Sequence, residues 1–188
     1  MKKILCLILS LVFIFSLTAC SDSGEKKEKN NIDIEYYANL GQMPECEYSL
    51  SESVSKINEE LTKEFESSNI EEMVYNVSEK GNRVQIDNGQ YKYYYLKDKE
   101  DKGVSYIVNF DTAFGFEIGT SAAEIEMALE DFDFKTEEIS KDKVFFLLGA
   151  PEGNIIECSF EGNTVMFVFE NHALCATALY NTSDWIGE

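Results

Sequence analysis

Cysteines are the residues of this chain best suited to covalent chemistry, and Cys20 has the most informative surroundings. Lys2 and Lys3 precede an apolar run over residues 4–17, and small residues then lead directly to the cysteine. The run is too short for a permanent membrane-spanning helix, which needs about 20 apolar residues. A basic start, a short apolar run and a small-residue stop predict an export signal. We therefore expect the folded part to lie outside the cytoplasm.

The stretch Leu17-Thr18-Ala19-Cys20 resembles the lipobox of bacterial lipoproteins. The resemblance implies that residues 1–19 are a signal peptide, cut just before a cysteine whose thiol carries a diacylglyceryl group. Two acyl chains give stable anchoring, whereas a single chain is marginal. The implied location is the extracytoplasmic face of the cell membrane, through lipid on Cys20. The alternatives are an ordinary secretory signal with a chance cysteine, and a short membrane anchor, which the polar residues 21–24 disfavour.

The formal net charge of −19 limits the partners that the domain can have. An acidic surface repels phosphate backbones and anionic lipid head groups, which argues against nucleic-acid binding. It favours basic proteins, cationic peptides or divalent cations, unless the acidity only keeps an exported protein soluble. A hydrophobic content of 44% and an aromatic content of 13% predict a folded domain rather than a disordered chain.

The other cysteines expected in the mature chain are Cys46, Cys158 and Cys175. Because their number is odd, at least one thiol is free or pairs between molecules. We expect buried, reduced thiols that behave as small apolar residues. His172 is the single histidine, which excludes sites built on several histidines. Cys175 or Cys158 paired with His172 is the nucleophilic alternative.

Carboxylates cluster at residues 130–133 and 137–138, where they could gather oxygen ligands for calcium. A calcium loop that begins at Asp131 puts Lys135 at a ligand position and lacks the turn glycine, so an EF-hand is excluded. An irregular calcium site and a solvated acidic face stay open. No spacing singles out a carboxylate pair for glycoside hydrolysis. We predict no metal, cofactor or catalytic residue, with a hydrolase using carboxylates or a Cys–His pair as the alternative.

The chain after the signal divides into a linker and two similar units. Residues 20–31 are polar and predict a flexible linker. Residues 32–118 and 119–188 each contain a predicted capping box, at 49–52 and 121–124, which marks the start of a helix. The first helix has its apolar stripe at Val54, Ile57, Leu61 and Phe65, and the second at Ile125, Leu129 and Phe132.

Short strands are predicted after each helix, from alternating or apolar runs bounded by turn residues. Their ranges are 84–87, 90–96, 104–110 and 113–118 in the first unit, and 144–148, 155–160, 164–170 and 173–179 in the second. With two-residue turns between these strands, Cys158 lies opposite Phe167 and Cys175 opposite Val168. The two thiols then face opposite sides of the sheet, which argues against a disulfide between them.

The two units match by pattern, since Ile57 and Leu61 correspond to Ile125 and Leu129. This predicts a diverged duplication, and the alternative is two unrelated helix-plus-meander segments in one α+β domain. The predicted fold class is α+β, with two tandem helix-plus-antiparallel-sheet units packed as one domain and helices on one face of the sheet.

The start of the second unit also resembles known domains. Gly119 and Thr120, then Glu124, Ile125 and Leu129 in the helix and the strands after them, look like β-lactamase-inhibitor-protein-like domains. The small lipoproteins of the outer-membrane barrel-assembly machine have a similar plan. The resemblance implies a helix–sheet fold and carries no activity with it. A composition rich in Lys, Asn, Ile and Glu indicates a low-GC Gram-positive source, which disfavours the barrel-assembly role.

The run Tyr91, Tyr93, Tyr94 and Tyr95 is the most distinctive feature of the folded part. On a strand, Tyr91, Tyr93 and Tyr95 share one face and Tyr94 lies on the other. Packing in the core is one interpretation. The other is a binding surface of Tyr91, Tyr93 and Tyr95 for a protein, peptide or glycan, because interfaces favour tyrosine. The predicted function is a membrane-anchored, non-catalytic binding domain with a protein or peptide partner.

Overall fold

One antiparallel sheet of eight strands forms the framework, and a computed structural model describes it over residues 33–67, 75–147 and 152–182. The strands are β1 (Asn76–Lys80), β2 (Arg83–Asp87), β3 (Tyr91–Leu96), β4 (Tyr106–Asn109), β5 (Phe134–Glu138), β6 (Gly153–Ser159), β7 (Asn163–Glu170) and β8 (Ala173–Asn181). The helices are α1 (Ile34–Leu40), α2 (Val54–Ser67) and α3 (Ala122–Ala128), with a 3-10 helix at Lys97–Lys102. The predicted combination of helices with an antiparallel sheet is confirmed.

The strands lie in the order β1-β2-β3-β4-β8-β7-β6-β5. Each half of the sheet is a meander of neighbouring strands, and the last strands of the two halves, β4 and β8, pair in the middle. The outer strands β1 and β5 were not predicted from the sequence. Both are mainly exposed edge strands, so they lack the apolar alternation that marks a half-buried strand.

Local hydrogen bonds explain where α3 and α1 begin. Ser121 Oγ accepts from the Glu124 amide at 3.3 Å, and the Glu124 carboxylate accepts from the Ser121 amide at 3.1 Å, which confirms the predicted capping box of α3. Asp33 caps α1, a helix that was not predicted, by accepting from the Tyr36 amide at 2.9 Å. The box predicted at 49–52 is wrong. Ser51 has a left-handed φ of 66°, a conformation that a right-handed helix does not contain. The helix α2 therefore begins only at Val54.

The described helices cover one face of the sheet, which we call the helix face. Ile34 of α1, Ile57 of α2 and Ile125 of α3 are buried in one apolar cluster. Their partners on the sheet are strand residues whose side chains point to the same face, as the pleat requires: Val84, Ile86, Tyr91, Tyr93, Tyr95, Ile107, Ile156, Val165, Phe167, Phe169, Leu174 and Leu179.

A different element covers the opposite face of the sheet. Residues 139–147, between β5 and β6, cross this face, and we call them the strap and the face beneath them the strap face. Val144 and Phe146 of the strap are buried. The sheet residues in the same cluster are Tyr94, Tyr106, Val108, Ile155, Met166, Val168, Ala176 and Ala178. The middle of the sheet is therefore buried on both sides.

The strand predicted at 144–148 is wrong for residues 144–147, and residue 148 lies outside the described residues. These residues form turns, because the amides of Val144 and Leu147 bond within the strap, to Ser140 O at 3.1 Å and Val144 O at 2.9 Å. An apolar run thus serves as a cover rather than as a strand. The strand predicted at 113–118 is also wrong, since it is reduced to one bridge between Ala113 and Phe116.

The strand registers place the described cysteines apart. Cys158 pairs with Val165 rather than Phe167, because the β6–β7 turn lies one residue earlier than predicted. A register shift in the β7–β8 ladder leaves Cys175 in a bulge, and its side chain packs with the strap-face cluster. Alternation along β6 puts Cys158 on the helix face. The predicted opposite orientation is confirmed, and the described cysteines are all free thiols.

In the described ranges, none of the helices has the length and apolar character needed to cross a bilayer.

Candidate functional site

Cys20, the predicted signal at 1–19 and the predicted linker at 20–31 lie outside the described residues. Lipid attachment at Cys20 therefore stays a prediction from the sequence.

The tyrosine surface predicted from β3 is wrong, because Tyr91, Tyr93 and Tyr95 are only 2%, 0% and 8% exposed. They lie on the helix face. The Tyr91 hydroxyl donates to the Pro44 carbonyl at 2.8 Å, and the Tyr93 hydroxyl lies 3.4 Å from Cys46 Sγ. Burial raises the pKa of all three phenols above its usual range. These side chains belong to the core, the other interpretation of the run.

The thiols are poor candidates for nucleophiles. Burial raises the pKa of Cys46 and of Cys158 to about 11, and it also raises the pKa of Cys175. A thiol with a raised pKa stays protonated and unreactive near neutral pH. His172 is exposed in the β7–β8 turn. Over the described ranges, no hydrogen bond joins it to Cys158 or Cys175.

The acidic clusters belong to different elements of the fold. Residues 130–133 follow α3, while Glu137 and Glu138 lie on the edge strand β5. Among the described residues, no group of three or more His, Cys, Asp and Glu side chains is arranged to hold a metal ion.

The strap face contains a buried carboxylate that sequence reasoning did not single out. Glu157 of β6 is only 9% exposed. Its side chain accepts from the Tyr180 hydroxyl at 2.8 Å and from Lys143 Nζ of the strap at 2.7 Å. Lys143 Nζ also donates to Glu137 at 2.8 Å. One strap lysine is thus held between two carboxylates of the sheet. The signal was present in the sequence, since a charged residue inside an apolar strand needs a buried partner.

The charges explain the protonation states of this cluster. Partial burial lowers the pKa of Lys143, but its bonds to Glu137 and Glu157 outweigh burial and raise it. The same lysine lowers the pKa of Glu137. Burial, followed by the nearby Glu157 charge, raises the pKa of Tyr180. Near neutral pH Lys143 is therefore a cation, Glu137 a carboxylate and Tyr180 a neutral phenol.

Aromatic side chains complete the contact between strap and sheet. The Phe145 ring packs edge-on against Tyr94 and Tyr106, with centroid distances of 5.0 and 5.3 Å. The Arg83 guanidinium lies 4.4 Å from the centroid of the same Phe145 ring. The Tyr106 hydroxyl donates to the Lys143 carbonyl at 3.2 Å. The strap is thus held on the sheet by ring contacts of Phe145, by the Arg83 guanidinium and by the hydrogen bond to the Lys143 carbonyl.

The strap face continues beyond the strap at an open border. Phe110 is 36% exposed and touches strap residue Phe146, with ring centroids 6.1 Å apart. Lys92 Nζ lies 4.8 Å from the Phe110 centroid and 3.7 Å from the Asp87 carboxylate. A shallow depression of about 270 Å³ lies here, lined by Asp87, Gly89, Gln90, Lys92, Phe110 and Asp111. It offers one accessible aromatic ring between charged groups.

Comparison of the chain with models of protein families, with curated proteins and with solved structures finds no match. The strap face is therefore interpreted from its own geometry. Rings, a buried carboxylate and paired charges can hold a macromolecular segment in a defined position.

Proposed function

We propose that this protein is a membrane-anchored, extracytoplasmic lipoprotein whose domain binds a protein or peptide and does not catalyse a reaction. The observation that carries the proposal is the strap face. Its rings of Tyr94, Tyr106 and Phe110 and its Arg83 guanidinium are residue types that protein interfaces favour, and Glu157 adds a buried carboxylate. The helix face, in contrast, is committed to the described helices.

The alternative, a hydrolase that uses carboxylates or a Cys–His pair, has less support. The raised pKa values of Cys158 and Cys175 disfavour a thiolate. Glu157 is already engaged by Tyr180 and Lys143. A carboxylate held by two donors is poorly placed to act as a general base, because a general base has to lie within hydrogen-bond reach of the substrate proton that it takes.

The anchor is proposed from the lipobox resemblance at Cys20. The polar composition of residues 20–31 is that of a linker between this anchor and the domain. Growth with a labelled fatty acid tests this. We expect label in the wild type, loss of label in Cys20→Ala, and retention in the matched control Cys6→Ala, since Cys6 lies in the part that is cut off. An unlabelled wild-type protein would contradict the anchor.

We also propose that residues 32–118 and 119–188 are two tandem units of one plan, similar to β-lactamase-inhibitor-protein-like domains. The strand order supports this, because each half is a meander and the last strands of the two halves are paired. The preceding helices α2 and α3 support it as well, since both pack on the helix face.

Site-specific photocrosslinking in intact cells tests the binding function. A photoreactive phenylalanine replaces Phe110, the exposed ring of the strap face, or Tyr36 of α1 as the control. Tyr36 is 57% exposed, so both probes reach solvent. We expect a discrete adduct with another protein from position 110 and none from position 36. Absence of an adduct at 110, or equal adducts at both positions, would contradict binding through the strap face.

A further inference from the structure

The strap is attached to the sheet face mainly by its side chains. At its base, the Ile139 amide donates to the Gly153 carbonyl at 3.0 Å. Further along, the described backbone hydrogen bonds stay inside the strap, from the amides of Lys143, Val144 and Leu147. The ladders of β3, β4, β8, β7 and β6 are complete without it. The hydrogen-bond ladders of these strands therefore do not depend on the strap.

The strap contacts the face as a short peptide ligand would. Lys143 reaches the carboxylates of Glu157 and Glu137. Two positions later Phe145 packs against the face, and Phe146 follows at the Phe110 border. The face thus contacts a cation, a buried valine (Val144) and two adjacent rings in fixed order.

The negative charge of the strap face favours a positively charged ligand. Glu157 is almost fully buried and needs a cationic partner, because a buried carboxylate left unpaired is strongly destabilising. The chain as a whole has a formal net charge of −19, which steers cationic segments toward it. An acidic peptide or an anionic lipid surface fits neither property.

We propose that the strap is an intramolecular stand-in for the partner, and that the strap face binds a partner segment in which a lysine is followed two positions later by two adjacent aromatic residues. This rests on the proposed binding function and names its site, ligand chemistry and regulation. Partner and strap compete for one face, so the free protein is held closed. The exposed Phe110 and the depression beside Lys92 and Asp87 give the incoming segment a first contact.

The strap's own sequence supplies the probe. A fluorescent peptide with the sequence of residues 139–147, ISKDKVFFL, is titrated with the mature chain carrying Cys20→Ser, which avoids detergent. The test protein also carries Phe145→Ser and Phe146→Ser, so that its own strap no longer fills the face. The control peptide, ISKDKVSSL, differs only in the two rings.

We expect saturable binding of ISKDKVFFL to the double-serine variant, at least about tenfold tighter than to the protein with an intact strap. We expect no binding of ISKDKVSSL. Adding Glu157→Gln to the variant should weaken the affinity by about tenfold, since the lysine then loses a buried charge partner. Circular dichroism and thermal melting show whether each variant is folded.

Three results would overturn the proposal. One is no binding to a folded double-serine variant. Another is equal binding to the protein with an intact strap. The third is dimerisation of the protein with an intact strap, measured by light scattering, because the strap face would then be occupied by the strap of a second copy. If the double-serine variant does not fold, Lys143→Gln serves in its place, with the same expected and contradicting results.

The photocrosslinking experiment distinguishes failure of the binding function from failure of the stand-in role of the strap. An adduct at position 110 without peptide binding leaves the binding function standing and overturns the stand-in role of the strap. Peptide binding without an adduct in cells supports the stand-in role and contradicts binding of a cellular partner through this face.

Discussion

The two faces of the sheet are both buried, and they are buried by different means. The helix face is covered by α1, α2 and α3, whose apolar side chains meet alternate residues of the strands. The strap face is covered by the turns of the strap, through the apolar side chains of Val144, Phe145 and Phe146 and through Lys143. Strand β3 shows the contrast within one element, since Tyr93 lies under helices and Tyr94 under the strap. Burial alone therefore does not tell a permanent core from an occupied binding face.

The different contacts of the two covers indicate that they have different roles. A buried ion pair adds little net stability, because desolvation offsets its attraction, but it fixes position. The strap adds a partly buried pair of this kind, between Lys143 and Glu157, to its apolar contacts, whereas the helix face uses apolar packing. We infer that the helices provide stability and that the strap provides a defined but separable cover.

The largest expected effect is on the helix face. Phe167 is fully buried, with Phe116 and Phe114 at centroid distances of 5.5 and 6.3 Å. Phe167→Ala should lower the free energy of unfolding by about 3–5 kcal/mol, through lost burial and a cavity. Urea denaturation followed by circular dichroism measures this. The matched control is Phe110→Ala, at a ring that is 36% exposed, which should cost much less. Equal losses would remove the contrast between the faces.

A smaller loss is expected where the strap is pinned. Lys143→Met leaves Glu157 buried without its cation and should lower the free energy of unfolding by about 1–2 kcal/mol, a value reduced because Lys143 is partly exposed. Adding Glu157→Gln should recover part of the loss, since the uncompensated charge is then gone. A double-mutant cycle in urea measures the coupling. Strictly additive effects would show that the two side chains do not act as a pair.

The N-cap of α3 should contribute about as much to the free energy of unfolding as one hydrogen bond. Ser121→Ala removes the acceptor for the Glu124 amide and should cost about 1 kcal/mol. Ser121→Asp retains an acceptor and is the control. Thermal unfolding of both variants provides the measurement, and amide exchange of the strap should be the same in both. Faster strap exchange in Ser121→Ala would mean that the two covers are coupled.

The smallest expected effect is the response of the strap to pH. The Glu137 pKa is lowered by Lys143, so its contribution is present above the unfolded value of 4.5 and is lost as pH falls through the lower folded value. The Lys143 pKa is raised, so its contribution is present below the unfolded value of 10.5 and is lost as pH rises through the higher folded value. Near-ultraviolet circular dichroism of the strap-face tyrosines should therefore change at both limits. Glu137→Gln should weaken the acid change, and an unaltered acid change in that variant would argue against this assignment.

Much of the secondary structure can be predicted because its signals are local. The capping box at Ser121 and the apolar stripe from Val54 to Leu61 each lie within a few residues. The turn at Asn171 and His172 also follows from local sequence, and both residues have a positive φ, 52° and 66°, as a two-residue hairpin turn requires. Such features need no knowledge of distant neighbours.

The site was harder to predict because its meaning depends on tertiary contacts. Alternation along β3 separates Tyr93 from Tyr94 correctly, but it does not state what covers either face. The apolar run at 144–147 suits a strand or a cover equally well, and only the path of the chain decides between them. Glu157 becomes informative once Lys143 and Tyr180 are seen to meet it.

Native-state hydrogen exchange distinguishes a separable strap from a permanent core, by comparing strap amides with those of the middle strands. We expect the amides of Val144 and Leu147 to exchange through a local opening, with a free energy well below that of global unfolding. The amide of Phe167 should exchange only through global unfolding. Phe145→Ala should speed exchange of the strap amides and leave that of Phe167 nearly unchanged. Strap amides that exchange only with global unfolding would contradict a separable strap, because the strap would then be part of the permanent core.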